Sequence, residues 1–256
     1  MNFTNSKLAT VTMISPNRTS PRNHAIDTIT IHCMAGNCTV EQCGNIFAPA
    51  SRRASSNYGI GSDGRIALYC PEEDRSWCTS SAANDNRAVT IEVANDGGAE
   101  TGWHVSDRAY AALLDLVTDI CRRNGIGKLL WEGDPSLIGQ AARQNMTVHR
   151  WFAAKSCPGD YLYNLHPQIA AEVNRRLGVK DAPAPEVWYK VQIGAFRQKA
   201  NAEAYAKRAA AAGISSYLHF AGGMYYVYAG AFRVKANAAR AAEAAVKRGF
   251  AACVVV

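Results

Sequence analysis

The stretch Thr147-Val148-His149-Arg150-Trp151-Phe152-Ala153-Ala154-Lys155-Ser156-Cys157-Pro158-Gly159 gathers an imidazole, an ammonium and a thiol in a short span. Neutral imidazole and thiolate are zinc ligands, and a catalytic zinc centre takes three protein ligands plus a water. His149 and Cys157 would supply two. The best third candidate is His32, at the end of Thr28-Ile29-Thr30-Ile31-His32-Cys33. Such a mixed set with an open fourth position activates water or polarises a carbonyl at neutral pH. The same residues also fit a strand-end histidine, a loop histidine and a buried thiol, because this spacing is not specific. A thiol hydrolase built on Cys157 and His149 is a further alternative.

Two more side chains join the set. Ile29, Ile31 and Cys33 alternate with Thr28, Thr30 and His32, and Val89, Ile91 and Val93 alternate with Thr90 and Glu92. This is the period of strands with one buried face. His32 and Glu92 fall on the polar-facing set, so in a shared sheet both rise from one surface. Lys155, two residues before Cys157, is a cation that can stabilise a developing oxyanion. A carboxylate proton carrier plus a cation suits amide hydrolysis. Taken singly, Glu92 also fits a solvated strand residue and Lys155 a surface charge.

The elements that must position these groups follow from pattern. Residues 1–25, rich in Asn, Ser and Thr, are expected to be an extended lead-in. Thr39–Phe47 predicts a short helix. Asn57–Gly61 and Arg65–Tyr69 flank Ser62-Asp63-Gly64, a hairpin signal. Ser106 is placed to cap a helix running to about Asn124, with Tyr110, Leu113, Leu114, Val117, Ile120 and Cys121 as its apolar stripe and Gly125 ending it. Asp160–Leu177 predicts a last helix. Strands mixed with helices indicate an α/β layer architecture.

The 256 residues allow one large or two smaller domains. No 18-residue apolar run predicts a transmembrane helix. Met1–Arg22 lacks an apolar signal core, so the expectation is cytoplasmic synthesis and storage. Eight cysteines in a chain of this length, without a repeated CxxC pair, are expected to be mostly reduced thiols. The net charge of +7 is concentrated at the C-terminal end, where residues 188–256 hold ten Lys/Arg against two Asp/Glu. That implies a polyanionic partner or simply solubility.

Three regions follow: a domain over 1–180, an Asp181-Ala182-Pro183-Ala184-Pro185-Glu186 linker (181–187) stiffened by alternating Pro and Ala, and a domain over 188–256. The last contains an internal repeat. Val191-Gln192-Ile193-Gly194-Ala195-Phe196-Arg197 returns as Val227-Tyr228-Ala229-Gly230-Ala231-Phe232-Arg233, and Lys199-Ala200-Asn201-Ala202 as Lys235-Ala236-Asn237-Ala238. Each unit reads strand, Ala-rich helix, Gly, strand. Two units predict a βαββαβ ferredoxin-like sheet with both helices on one face.

The N-terminal domain resembles the type 2 N-acetylmuramoyl-L-alanine amidases, whose fold is shared with peptidoglycan recognition proteins and amidase-type phage lysozymes. The likeness spans roughly Ile26–Leu177. It rests on the strand ending in His32, the Asn57–Ile66 hairpin, the Val89–Val93 strand and the closing His149 to Lys155-Ser156-Cys157-Pro158. It implies a mixed central sheet flanked by helices, and Zn²⁺ bound by His32, His149 and Cys157. Lys155 matches the family lysine that stabilises the oxyanion. One branch of the family uses a glutamate at the position of Glu92 as general base. Another uses a tyrosine where this chain has Ser56, with Tyr58 close by. The implied reaction cuts the amide between the lactyl group of N-acetylmuramic acid and the L-alanine of the stem peptide. Glu92 would carry the proton, and Tyr58 and Trp77 would contact substrate, although Trp77 fits a core indole as well.

The repeat resembles the SPOR family of peptidoglycan-binding domains, over about Tyr189–Val256. It implies binding to glycan strands lacking stem peptides, through the exposed sheet face. An amidase makes such strands, so the two halves agree. The resulting expectation is a monomeric phage or prophage endolysin held in the cytoplasm until release, or else a host wall-remodelling amidase, with peptidoglycan as partner, no nucleic acid and no membrane insertion. The rivals are a peptidoglycan-binding protein without hydrolytic activity, which Cys157 argues against, and an RNA-binding fold suggested by the basic, aromatic C-terminal repeat. An RNA-binding pattern does not predict the duplicated Gly-Ala-Phe-Arg.

Overall fold

The computed structural model describes residues 3–180, 188–232 and 235–255. It divides into two compact units, Met1–Ala184 and Pro185–Val256. The expected linker over 181–187 lies outside the described residues.

The first unit contains eight strands, β1 (Val11–Thr12), β2 (Arg18–Thr19), β3 (Thr28–Cys33), β4 (Tyr58–Ile60), β5 (Ile66–Leu68), β6 (Arg75–Ser76), β7 (Ala88–Val93) and β8 (Met146–Thr147). Its helices are α1 (Val40–Phe47), α2 (Ala82–Arg87), α3 (Asp107–Arg123) and α4 (Gly159–Leu177). Six strands form one mixed sheet in the order β1-β5-β4-β7-β3-β8. β4 and β5 are the antiparallel hairpin, while β4, β7, β3 and β8 run parallel.

Local signals explain the helices. Thr39 and Gln42 form a reciprocal capping box at the start of α1. Ser106 accepts from the Ala109 amide at the start of α3. The α3 stripe of Leu113, Leu114, Val117, Ile120 and Cys121 is buried, with Tyr110 packed beside it. It meets Leu162, Ile169 and Val173 of α4 over Ile29, Ile31, Val89, Ile91 and Val93 of the sheet.

The other sheet face differs from expectation. The alternation predicts one buried face, yet Thr30, His32 and Thr90 are fully buried as well. Residues 75–87 cover them and satisfy their hydroxyls: Ser76 Oγ lies 2.8 Å from Thr90 Oγ1, and Asn84 donates to Thr30 Oγ1 at 3.1 Å. Buried hydroxyls require such partners. The lead-in is also more structured than expected. β1 extends the sheet beside β5, and β2 pairs with β6. Buried Arg22 donates to the carbonyls of Glu72, Asp74, Asn86 and Ala88, tying the lead-in to the segments beneath it.

Glu72 is fully buried and accepts from the Arg123 guanidinium at 2.6 and 3.0 Å, from Asn124 at 3.0 Å and from the Tyr58 hydroxyl at 2.6 Å. Removing one partner of such a pair leaves the other desolvated without compensation. Glu72→Ala is therefore expected to destabilise the unit by about 3 kcal/mol. Urea denaturation followed by tryptophan fluorescence measures it.

The second unit runs β9 (Tyr189–Phe196), α5 (Lys199–Ala211), β10 (Tyr217–Ala221), β11 (Met224–Phe232), α6 (Lys235–Lys247) and β12 (Cys253–Val255). The antiparallel order β10-β11-β9-β12 is the ferredoxin-like βαββαβ sheet. The duplicated strands β9 and β11 are central neighbours. Val191, Ile193 and Val227 share one core with Ala202 and Ala209 of α5 and Ala238 and Ala245 of α6, which places both helices on one face. All eight cysteines of the chain are free thiols. Among the described residues no helix is long and apolar enough to cross a membrane.

Candidate active site

The carboxyl ends of parallel strands are where open α/β sheets bind ligands. β3 and β7 run in register from Thr28 opposite Ala88 to Cys33 opposite Val93, so His32 stands opposite Glu92. β8 pairs with β3 through Ile29–Met146 and Thr30–Thr147, then passes into a 3-10 turn, His149–Trp151. The chain thus brings two distant histidines together: the rings of His32 and His149 are 5.1 Å apart between centroids.

Cys157 completes the group. Its Sγ lies 3.3 Å from His32 Nδ1 and accepts a hydrogen bond from the Cys33 amide at 3.4 Å. The donor atoms of His32, His149 and Cys157 all lie within 4.8 Å of one another. Arg150 holds the turn closed. Its amide donates to the Cys157 carbonyl at 3.1 Å, and its guanidinium donates to the Ser156 carbonyl and the Asp160 carboxylate.

Glu92 Oε1 is 3.9 Å from His32 Nδ1, and the Glu92 side chain keeps 17 % exposure. Lys155 is exposed and shares with Cys157, Cys33, Met34, Ala35 and Trp103 the wall of a cavity of about 130 Å³. Trp103 has a left-handed backbone (φ 66). It packs against Gly159, where an added Cβ would stand 2.7 Å from both Trp103 Cβ and the Gly102 carbonyl oxygen. Only glycine allows that approach.

Burial sets the charge states. It lowers the His32 pKa to about 3, with His149 adding to the effect, so the imidazole is neutral. Burial and then Lys155 lower His149 as well. Burial, then the Glu92 carboxylate, pushes the Cys157 thiol up. Burial raises Glu92 to about 7, against a smaller pull from Arg52. Three buried atoms here make no hydrogen bond: His32 Nε2, His149 Nε2 and Glu92 Oε2. Bare buried imidazole nitrogens are costly unless something ligates them. Two neutral imidazoles and a thiol whose donor atoms lie within 4.8 Å of one another fit zinc, and a bound dication would reverse the upward pull on the thiol.

One expected substrate contact, Tyr58, falls elsewhere. Tyr58 is fully buried, its hydroxyl donating to Glu72 and accepting from the Ser6 amide. In register it faces Ile91, and Gly59 is the residue beside Glu92. Strand parity therefore points Tyr58 into the core, away from the site. Trp77 donates its indole N–H to Thr19 Oγ1 at 2.9 Å. The next residue, Cys78, is the one turned inward, with its sulfur within 4.8 Å of donor atoms of His32 and Glu92. Trp77 and Cys78 are both half-buried, and no alternation in the sequence marks Cys78 for the site. Trp103 and Arg150 carry no mark in the sequence either.

Residues 22–160 match the family model for N-acetylmuramoyl-L-alanine amidase, and residues 187–256 match that for the SPOR domain. No curated protein matches the chain. Among solved structures, the chain is similar to the peptidoglycan binding domain of the B. subtilis cell wall lytic enzyme CwlC. That match is 47% identical, covers 27% of this chain and 86% of that one, and has a TM-score of 0.25. A selenomethionyl AmpD derivative matches at 18% identity, over 69% of this chain and 99% of that one, with a TM-score of 0.48. The endolysine N-acetylmuramoyl-L-alanine amidase LysCS from Clostridium intestinale matches at 17% identity, over 69% and 94%, with a TM-score of 0.40. With more than half of its length inside the first family model, the chain belongs to the N-acetylmuramoyl-L-alanine amidases and carries a SPOR domain at its C-terminal end.

Proposed function

We propose that this amidase is zinc-dependent, that His32, His149 and Cys157 hold the ion, and that it cuts the bond between the lactyl group of N-acetylmuramic acid and the stem-peptide L-alanine. The observation that carries this is the convergence, within 4.8 Å, of two imidazoles and a thiol from two distant segments, with Cys157 Sγ 3.3 Å from His32 Nδ1. Zinc, when bound, supplies a water of lowered pKa and polarises a carbonyl. The chain's own residues do the rest. Glu92, held near neutrality by burial, takes the proton of the attacking water and returns it to the departing alanine nitrogen. The Lys155 ammonium, on the cavity rim, faces the negative charge that develops on the carbonyl oxygen. Met34, Ala35 and Trp103 line the same cavity.

The test is the chemistry of the products released from purified peptidoglycan. New N-terminal alanine without new reducing ends, abolished by a chelator and restored by zinc, is the expected result. New reducing ends mean glycosidic cleavage and overturn the proposal. Wall binding with no release overturns it in favour of a binding protein.

The SPOR domain is proposed to direct the enzyme to glycan strands stripped of stem peptides. Its sheet face away from the helices is aromatic. Tyr217 is exposed, Tyr226 and Tyr228 stack at 6.1 Å, and Lys190 stands 5.8 Å from the Tyr228 ring. Aromatic rings on an open sheet suit stacking against sugar rings and dominate such interfaces. Joint Tyr217→Ala and Tyr226→Ala substitution is expected to weaken binding to amidase-treated peptidoglycan about tenfold, a loss of about 1.4 kcal/mol. Turnover of a soluble muropeptide is expected to stay unchanged. Co-sedimentation and a chromatographic assay read the two effects.

A further inference from the structure

The two histidines of the site reach it from strands joined by very little backbone. β8 is two residues long, lies at the sheet edge and meets β3 through two register pairs. A ladder that short does not by itself hold His149 in fixed relation to His32. Behind it lies a closed ring of side-chain hydrogen bonds. Asn84 Nδ2 donates to Thr30 Oγ1 at 3.1 Å, the Thr30 and Thr147 hydroxyls meet at 2.7 Å, and Thr147 Oγ1 donates to Asn84 Oδ1 at 3.0 Å. The donors run in one direction around the ring, and the opposite sense, with the amide turned over, satisfies the same groups, so each of the three side chains donates once and accepts once either way. Asn84, Thr30 and Thr147 are 5 %, 0 % and 2 % exposed, so water does not compete.

Thr30 is two residues before His32, and Thr147 is two residues before His149. Side chains two apart in extended chain share a face, and Val148, between Thr147 and the turn at His149, is extended (φ −138, ψ 150). The ring therefore joins the two backbones one step below the two imidazoles. Asn84 is itself fixed: its amide bonds the Ser81 cap at 3.3 Å, and its neighbour Asp85 accepts from the amides of Cys78 and Thr79. We infer that Asn84 is a positioning residue for the two histidine donors, setting their separation through Thr30 and Thr147 without touching either ring. This rests on the zinc reading above. Partners behind a metal's ligands tune its affinity by tenfold or more.

The experiment uses the full chain and zinc alone. Zinc affinity is measured by competition with a chromophoric chelator, and the cobalt-substituted absorption spectrum is recorded for each protein. The variants are Asn84→Ala, Thr147→Val, which keeps volume and removes the hydroxyl, and Thr147→Ser, which keeps the hydroxyl. Thermal unfolding of the metal-free proteins is followed in parallel. Zinc affinity is expected to fall about tenfold in Asn84→Ala and Thr147→Val, with altered cobalt bands, and to be restored in Thr147→Ser. A merely structural role would lower the unfolding temperature of the metal-free variants and leave affinity and spectrum as in the wild type, and this outcome overturns the inference alone. Failure of the wild-type chain to bind zinc overturns the metal reading, and the inference with it.

Discussion

Cys157→Ser is expected to lose zinc and amidase activity together. A serine hydroxyl is a poor substitute for a thiolate donor, and two imidazoles do not make a complete catalytic set. We expect zinc affinity to fall at least about a hundredfold, more than the loss expected behind the ligands. Release of N-terminal alanine should drop below detection. Metal content by mass spectrometry and chelator competition measure the first, and amine labelling of digested peptidoglycan the second. Cys157 contacts His32 and the Cys33 amide at the end of β3, so the metal-free wild type is the proper reference for stability. A thiol hydrolase using Cys157 and His149 predicts the same loss of activity but survives chelation of the wild type. Chelator-resistant activity would therefore overturn the zinc assignment.

Glu92→Gln should separate chemistry from metal binding. The amide keeps the shape of the carboxylate and cannot take a proton from water. General base catalysis contributes about 10²–10⁴ in rate, so kcat is expected to fall about a thousandfold. Zinc affinity should remain close to wild type, because Glu92 stands outside the His32–His149–Cys157 set. Near-normal turnover in this variant would move the proton carrier elsewhere, and Ser56, buried and bonded to the Tyr58 carbonyl, is poorly placed to take over.

The pairing of His32 with Glu92 is legible because strand alternation has a period of two and both residues sit at the same parity on neighbouring strands. The closing segment is legible because His149, Lys155 and Cys157 lie close in sequence. The C-terminal unit is legible because its halves repeat, and duplicated strand–helix–strand units pair centrally. What is not legible depends on contacts distant in sequence. Burial of the polar face of β3 requires residues 75–87 to fold over it, and nothing near Thr30 announces Asn84. Tyr58 looks like a substrate residue until Glu72, itself held by Arg123, and the Ser6 amide, both brought from elsewhere, occupy its hydroxyl. The lead-in shows no periodicity, so its short strands and the anchoring by Arg22 arise from the partners it meets.

The route of the chain through the site has a consequence for synthesis. The first donor is on β3, near the start of the catalytic unit, and the last is at Cys157, after β8 has docked beside that same strand. Domains fold largely as units during translation. A chain still short of residue 157 therefore lacks one of the three proposed zinc donors, and one short of α4 lacks Leu162, Ile169 and Val173 of the core as well. The ribosome must release residues 146–157 before the proposed His32–His149–Cys157 set can form, so hydrolytic competence is expected to come late in synthesis. A truncation ahead of Cys157 removes that donor and the α4 part of the core together.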